Sequence, residues 1–109
     1  MFLYKAADKL VFNFLNKINC GFLELETIYG EKLYFGDPKD NLKANIIIKK
    51  PNFNYNLIRG GSIGFAESYM RSEFETTNLP NLIELTARNI KIIHKFSGLL
   101  DLPVINFFK

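Results

Sequence analysis

The segment from residue 60 to residue 71 holds the residue types best suited to chemistry. Gly60, Gly61 and Ser62 stand directly before an apolar and aromatic run. Glycine readily takes the positive φ angles of tight turns, and serine is a favoured cap of a following helix. Free N–H groups at a helix start attract anions such as phosphate. The segment therefore predicts either a structural turn or a contact with a phosphate or lipid head group.

The helix expected after this turn has one polar side and one apolar side. The polar side, at spacing i, i+3, i+4 and i+7, comprises Gly64, Glu67, Ser68 and Arg71. The apolar side comprises Ile63, Ala66, Tyr69 and Met70. Two interpretations of the polar side stay open. Either it is a solvated face with a Glu67–Arg71 ion pair, or Gly64 admits another backbone and Glu67 is buried against it.

Two further reactive residue types lack the partners that catalysis would need. His94 is the single histidine, and one histidine without companions makes no metal site or catalytic triad. We interpret it as a surface or capping residue near a helix end. Cys20 is the single cysteine, so an internal disulfide is excluded, and we expect a small hydrophobe in a reducing compartment. The sequence predicts no catalytic, metal-binding or cofactor-binding residue on this chain.

Length and charge narrow the class of protein. The 109 residues fit one domain, and the 48% hydrophobic content is enough for a core. The net charge of +3 comes from scattered lysines without the signature of a nucleic-acid-binding module, so we expect no nucleic-acid partner. No apolar stretch reaches the roughly 20 residues that span a bilayer. A contact with a membrane would therefore be at its surface.

The hydrophobic pattern predicts an α+β fold. Helices are expected over 2–18, 63–71 and 79–96, strands over 22–28, 32–35, 44–49 and 73–76, and an ambiguous short segment over 53–58. In the first strand Leu23, Leu25 and Thr27 alternate with Glu24 and Glu26, which predicts a half-buried strand. Sequential strands with short connections predict an antiparallel meander, with the helices packed on one face. We expect Asn78 to cap the last helix. The predicted buried stripe of that helix comprises Leu79, Leu82, Ile83, Thr86, Ile90 and Ile93.

Surplus apolar residues occur at both ends of the chain. They are Phe2, Phe12 and Leu15 in the first helix and a run of apolar residues in the tail over 99–109. Such residues suit either an interfacial membrane patch or a docking surface for another domain. We favour docking, and divide the chain into a domain over 1–98 and an apolar tail over 99–109.

An ordered set of short motifs resembles one known family. The motifs are Gly21-Phe22-Leu23-Glu24-Leu25, Tyr34-Phe35-Gly36, Ala44-Asn45-Ile46-Ile47-Ile48-Lys49, Pro51-Asn52-Phe53, Gly61-Ser62-Ile63-Gly64, Glu67-Ser68-Tyr69-Met70, and Leu82-Ile83 to Asn89. Over about residues 21–89 the set is similar to the amino-terminal domain of cyclopropane-fatty-acyl-phospholipid synthases. That family commonly has Asp-Gly where Arg71-Ser72 stands, and Trp where Phe74 stands.

The resemblance implies a non-catalytic, lipid-side domain with a sterol-carrier-like fold. Methyl transfer in the family takes place in a carboxy-terminal domain that binds S-adenosylmethionine, and this chain lacks its glycine-rich nucleotide loop. The implied partners are a phospholipid or membrane surface and that methyltransferase domain, at the cytoplasmic face of the membrane. The alternatives are a stand-alone lipid carrier and a homodimerisation domain. The implied lipid-side residues are Gly60, Gly61, Ser62, Gly64, Glu67, Tyr69 and Arg71.

Overall fold

Three helices and four strands within residues 2–92 confirm the predicted α+β class. The computed structural model describes residues 2–92, with the side chains of residues 5–92 apart from Ser62. The elements are α1 (Phe2–Leu15), β1 (Phe22–Glu26), β2 (Lys32–Gly36), β3 (Lys43–Ile48), α2 (Phe53–Met70), β4 (Phe74–Glu75) and α3 (Leu79–Arg88). The predictions for His94, Ile93 and the tail over 99–109 lie outside the described residues.

The sheet is mixed, so the predicted antiparallel meander is wrong. β1 and β2 form the expected antiparallel hairpin, in which Leu23 lies opposite Phe35. β3 then pairs with the other edge of β1 in the parallel direction, with Leu25 opposite Ile46. β4 adds antiparallel to β3, which gives the strand order β2-β1-β3-β4.

The loop between β2 and β3 carries the chain past the start of β1 and thereby sets this order. Gly36 has a φ of 90°, and a Cβ there would lie 2.2 Å from the carbonyl oxygen of Gly21. The Asp40 carboxylate accepts hydrogen bonds from the backbone N–H groups of Gly21 and Leu42, both at 2.9 Å. The bonds from Leu42 and Gly21 hold the pKa of Asp40 below its ordinary value. Phe22 N–H donates to the carbonyl of Leu42 and starts the parallel pairing.

The core lies on one face of the sheet, between the strands and all three helices. Alternation along β1 places Leu23 and Leu25 inward, as predicted, each 1% exposed. The other buried core residues are Ile18, Phe35, Leu42, Ala44, Ile46, Ile48, Phe53, Phe74, Leu82 and Leu85. Phe12 and Leu15 of α1 pack against this cluster, so these surplus apolar residues belong partly to the core.

Asn89 ties the end of α3 to the connection between α1 and β1. Its side-chain oxygen accepts from the backbone N–H groups of Asn19 at 3.0 Å and Cys20 at 3.2 Å. Its amide nitrogen donates to the carbonyls of Cys20 at 2.9 Å and Leu85 at 2.8 Å. α1 ends at Leu15, earlier than predicted. The connection from α1 to β1 includes the half-buried Cys20.

α3 begins as predicted but buries only part of the predicted stripe. The Asn78 side chain accepts from the backbone N–H of Asn81 at 3.1 Å, which confirms the cap. The buried residues at helical spacing are Leu82, Leu85 and Asn89, whereas Ile83 and Ile90 are 54% and 39% exposed. Of the predicted stripe, the burial of Leu82 is confirmed and that of Ile83 and Ile90 is wrong. The interior side also contains the polar Asn89, which an apolar periodicity cannot identify.

Candidate functional site

The glycine-rich segment forms a kink within α2. Gly61 has φ 56° and ψ −132°, which separates a first helical half over 53–60 from a second half over 62–70. The ambiguous segment over 53–58 is thus helical. Gly61 takes the positive φ that the sequence predicted, whereas Gly60 is an exposed residue of the first half without one. The cap by Ser62 stays a prediction, because its side chain lies outside the described part of the chain.

Gly64 brings the two halves of α2 together. It is buried, and a Cβ there would lie 2.5 Å from the carbonyl oxygen of Asn56. This distance confirms the interpretation in which Gly64 admits another backbone, here the first half of the same helix. The associated burial of Glu67 is wrong, because Glu67 is exposed.

The buried acid of this region is Glu73, which links both halves of α2. Its Oε1 accepts from Ser68 Oγ at 2.7 Å and from Asn56 Nδ2 at 3.0 Å. Its Oε2 accepts from Arg71 Nε at 3.1 Å. Asn56 lies before the Gly61 kink and Ser68 after it, so one carboxylate holds the two halves in place. We call Glu73, Asn56, Ser68 and Arg71 the Glu73 cluster.

The Glu73 cluster is a structural arrangement rather than a catalytic one. Burial of Glu73 disfavours its charge, but donors from Ser68, Asn56 and Arg71, together with the Arg71 charge, outweigh burial and lower the pKa of Glu73. A carboxylate with a lowered pKa and three donors is a poor general base near neutral pH. The predicted Glu67–Arg71 pair is replaced by the pair of Arg71 with Glu73.

Ser72 closes α2 in the left-handed conformation that glycine favours. Its φ is 58°, while its N–H donates to the carbonyl of Tyr69 and the N–H of Glu73 donates to that of Ser68. These two bonds match the Schellman motif, in which the left-handed residue is usually glycine.

We expect Ser72→Gly to stabilise the protein by about 1 kcal/mol, because a residue with a Cβ is strained at this φ. The urea midpoint for unfolding, followed by circular dichroism, would measure the change. A lower midpoint than that of the wild type would contradict the assignment of strain to Ser72.

The second half of α2 turns its apolar side outward, opposite to the usual amphipathic arrangement. Ser68 is 0% exposed, whereas Ile63 is 71% and Met70 74% exposed. Ile63, Ala66 and Met70 share this outer side, and we call them the α2 stripe. The outward position of Ile63, Ala66 and Met70 follows from the inward contacts of Gly64 and Ser68.

Aromatic rings fill the space under α2. The Phe74 ring of β4 lies 4.9 Å from that of Phe53 and 5.0 Å from that of Phe65, between ring centroids. The Tyr69 ring lies 5.7 Å from Phe74 while remaining 43% exposed. Tyr69, predicted on the lipid side, therefore contributes to packing as well as to the surface.

Positive charge predominates among α1, α2 and their adjoining turns. Residues 5–17 and 50–73 contain the cations Lys5, Lys9, Lys17, Lys50, Arg59 and Arg71 and the acids Asp8, Glu67 and Glu73. Asp8 accepts a hydrogen bond from Asn54 Nδ2 at 2.9 Å, and Glu73 is buried. Glu67 is therefore the exposed acid beside the α2 stripe.

Residues 2–92 bring together no three His, Cys, Asp or Glu side chains that could hold a metal ion. Within the same residues, no helix has both the length and the apolar character needed to cross a bilayer.

Comparison of the chain with protein-family models, curated proteins and solved structures finds no match. The candidate site is thus a kinked helix held by Glu73, with an apolar outer stripe.

Proposed function

We propose that this chain is a non-catalytic module that engages a phospholipid surface through the α2 stripe. The observation that carries the proposal is the outward position of Ile63 and Met70, 71% and 74% exposed on one side of a helix. Removing apolar side chains from water is favourable by about 0.8 kcal/mol per CH₂ group. A helix that lies in the bilayer interface gains this energy without crossing the membrane.

The charge of α1, α2 and their adjoining turns supports an anionic partner. Six cations and three acids lie in α1, α2 and their turns, and Glu73 among those acids is buried in its cluster. Lysine and arginine near a membrane surface are attracted to anionic lipids, each by about 1 kcal/mol. The exposed Glu67 opposes this attraction, so we expect Glu67→Gln to strengthen binding.

The resemblance to cyclopropane-fatty-acyl-phospholipid synthases agrees with this proposal. In that family a lipid-side domain accompanies a methyltransferase domain that uses S-adenosylmethionine. We infer that the present chain serves as such a domain at the cytoplasmic face of a membrane. We also propose that it has a sterol-carrier-like arrangement and that it docks to a catalytic domain. The packed rings of Phe53, Phe65 and Phe74 favour surface engagement over the alternative of an internal lipid carrier.

Vesicle flotation tests the proposal. We expect the wild type to float with vesicles containing phosphatidylglycerol, and Met70→Asp to bind about tenfold more weakly, because a charge would enter the bilayer interface. Tyr29→Asp is the matched control, since Tyr29 is 87% exposed in the turn between β1 and β2. A wild type that stays unbound, or a Met70→Asp variant that binds equally well, would overturn the proposal.

A further inference from the structure

The outer side of α3 carries a second exposed apolar surface, separate from the α2 stripe. Ile83 is 54% exposed, Ala87 is exposed, and Ile90 in the following helical turn is 39% exposed. We call these three residues the α3 face. They lie at spacing i, i+4 and i+7, which places them on one side of the helix. The core-facing side of α3 is occupied separately, by Leu82 and Leu85.

We propose that the α3 face pairs antiparallel with the α3 face of a second copy of this chain. A twofold axis passing between Thr86 and Ala87 would place Ile83 of one copy opposite Ile90 of the other. Twofold interfaces use the same surface on both copies, which requires a self-complementary patch. The small Ala87 lies near the centre of this patch, where it allows the two helices to approach closely.

The charges beside the α3 face are also self-complementary. Glu84 and Arg88 lie on the same flank of the helix and form an ion pair within one copy. In the antiparallel pair, Arg88 of the second copy would lie beside Glu84 of the first. Their offset along the helix axis would be about one residue rise, or about 1.5 Å. Lys91 adds a further cation on this flank. Opposite charges would therefore face each other twice, once on each side of the twofold axis.

Sedimentation velocity tests the apolar part of the proposal. We expect the wild type to form a dimer in the micromolar range, and Ile83→Glu to raise the dimer dissociation constant at least about tenfold. Ile63→Glu is the matched control, because Ile63 is similarly exposed but belongs to the α2 stripe. A wild type that remains monomeric across the micromolar range overturns the proposal.

A charge-exchange experiment tests the register. In the dimer of the Glu84→Arg variant, a cation at position 84 would face Arg88 of the other copy at both contacts. In the dimer of the Arg88→Glu variant, an acid at position 88 would face Glu84 of the other copy at both contacts. We expect each variant to dimerise about tenfold more weakly than the wild type, and an equimolar mixture to form heterodimers, because every pair is then complementary. Both substitutions are at exposed positions, so folding should persist. A mixture as monomeric as its components overturns the antiparallel register.

This inference is independent of the proposed function. Vesicle binding tests Met70 on α2, whereas dimerisation tests Ile83, Glu84 and Arg88 on α3. If the wild type binds vesicles as a monomer, the α3 proposal fails alone. If it dimerises but does not float with vesicles, the proposed function fails alone.

Discussion

Replacing Glu73 by alanine should lower the free energy of unfolding by about 2–4 kcal/mol. The substitution removes the acceptor of three side-chain donors, from Asn56, Ser68 and Arg71. Ser68 is fully buried, so its hydroxyl would be left without this partner away from water. Since Asn56 and Ser68 lie on opposite sides of the Gly61 kink, the two halves of α2 would also lose their common anchor.

Glu67→Ala provides the matched control for this result. Glu67 lies beside Ser68 in the second half of α2 but is exposed, so we expect its removal to change the free energy of unfolding by no more than about 0.5 kcal/mol. Urea unfolding of both variants, followed by circular dichroism at neutral pH, gives the comparison. Similar stability of the two variants would show that the Glu73 cluster does not anchor α2.

The contribution of Glu73 should also depend on pH. Its folded-state pKa lies below the value of about 4.3 expected in an unfolded chain. The stabilisation from its ionised form is therefore complete above that value, and is lost as the pH falls through the lower folded-state pKa. We expect the stability difference between wild type and Glu73→Gln to shrink progressively below about pH 4.3. A difference that stayed constant down to pH 2 would contradict the lowered pKa.

Local features of the fold were predictable from the sequence because they depend on neighbouring residues. Alternation identified Leu23 and Leu25 as the inward side of β1, and Asn78 was identified as the cap of α3. The close backbone approach at Gly64 was also one of the predicted interpretations, because a glycine within an apolar helix removes the Cβ that would prevent it.

The strand order was not predictable from local pattern. It depends on the loop after β2, where Asp40 binds the backbone of Gly21, nineteen residues earlier in the chain. The residue pattern of β1, β2 and β3 fits an antiparallel meander equally well, because each strand buries the same residues whichever neighbour it has. The parallel pairing of β1 with β3 is therefore decided by contacts that a local pattern does not contain.

The amino-acid pattern also did not predict which side of a helix faces the core. Periodicity showed that Gly64, Ser68 and their neighbours share a side of α2, but it did not show which side is inward. The polar side is partly inward because Glu73, beyond the end of the helix, accepts from Ser68. The same effect occurs on α3, where Asn89 is buried through its bonds to Asn19 and Cys20. No spacing rule in the sequence identifies either polar anchor.

Gly64→Ala should destabilise the protein by about 2 kcal/mol. The new Cβ would lie 2.5 Å from the backbone oxygen of Asn56, which has no flexible end that could move aside. Overpacking of this kind costs about 1–3 kcal/mol, and the better helix propensity of alanine offsets about 1 kcal/mol at most. The two halves of α2 must then separate, which would also strain the bonds of Asn56 and Ser68 to Glu73.

Gly60→Ala distinguishes this packing effect from a general effect of adding a methyl group to α2. Gly60 is exposed without a positive φ, and a Cβ there would meet nothing within 4 Å. Its replacement should therefore stabilise the protein by about 0.5–1 kcal/mol through helix propensity alone. Opposite signs for the two substitutions in thermal and urea unfolding are the expected result. If both stabilise, the backbone approach at Gly64 is not tight. If both destabilise, flexibility of the glycine segment, rather than the contact with Asn56, is what the fold requires.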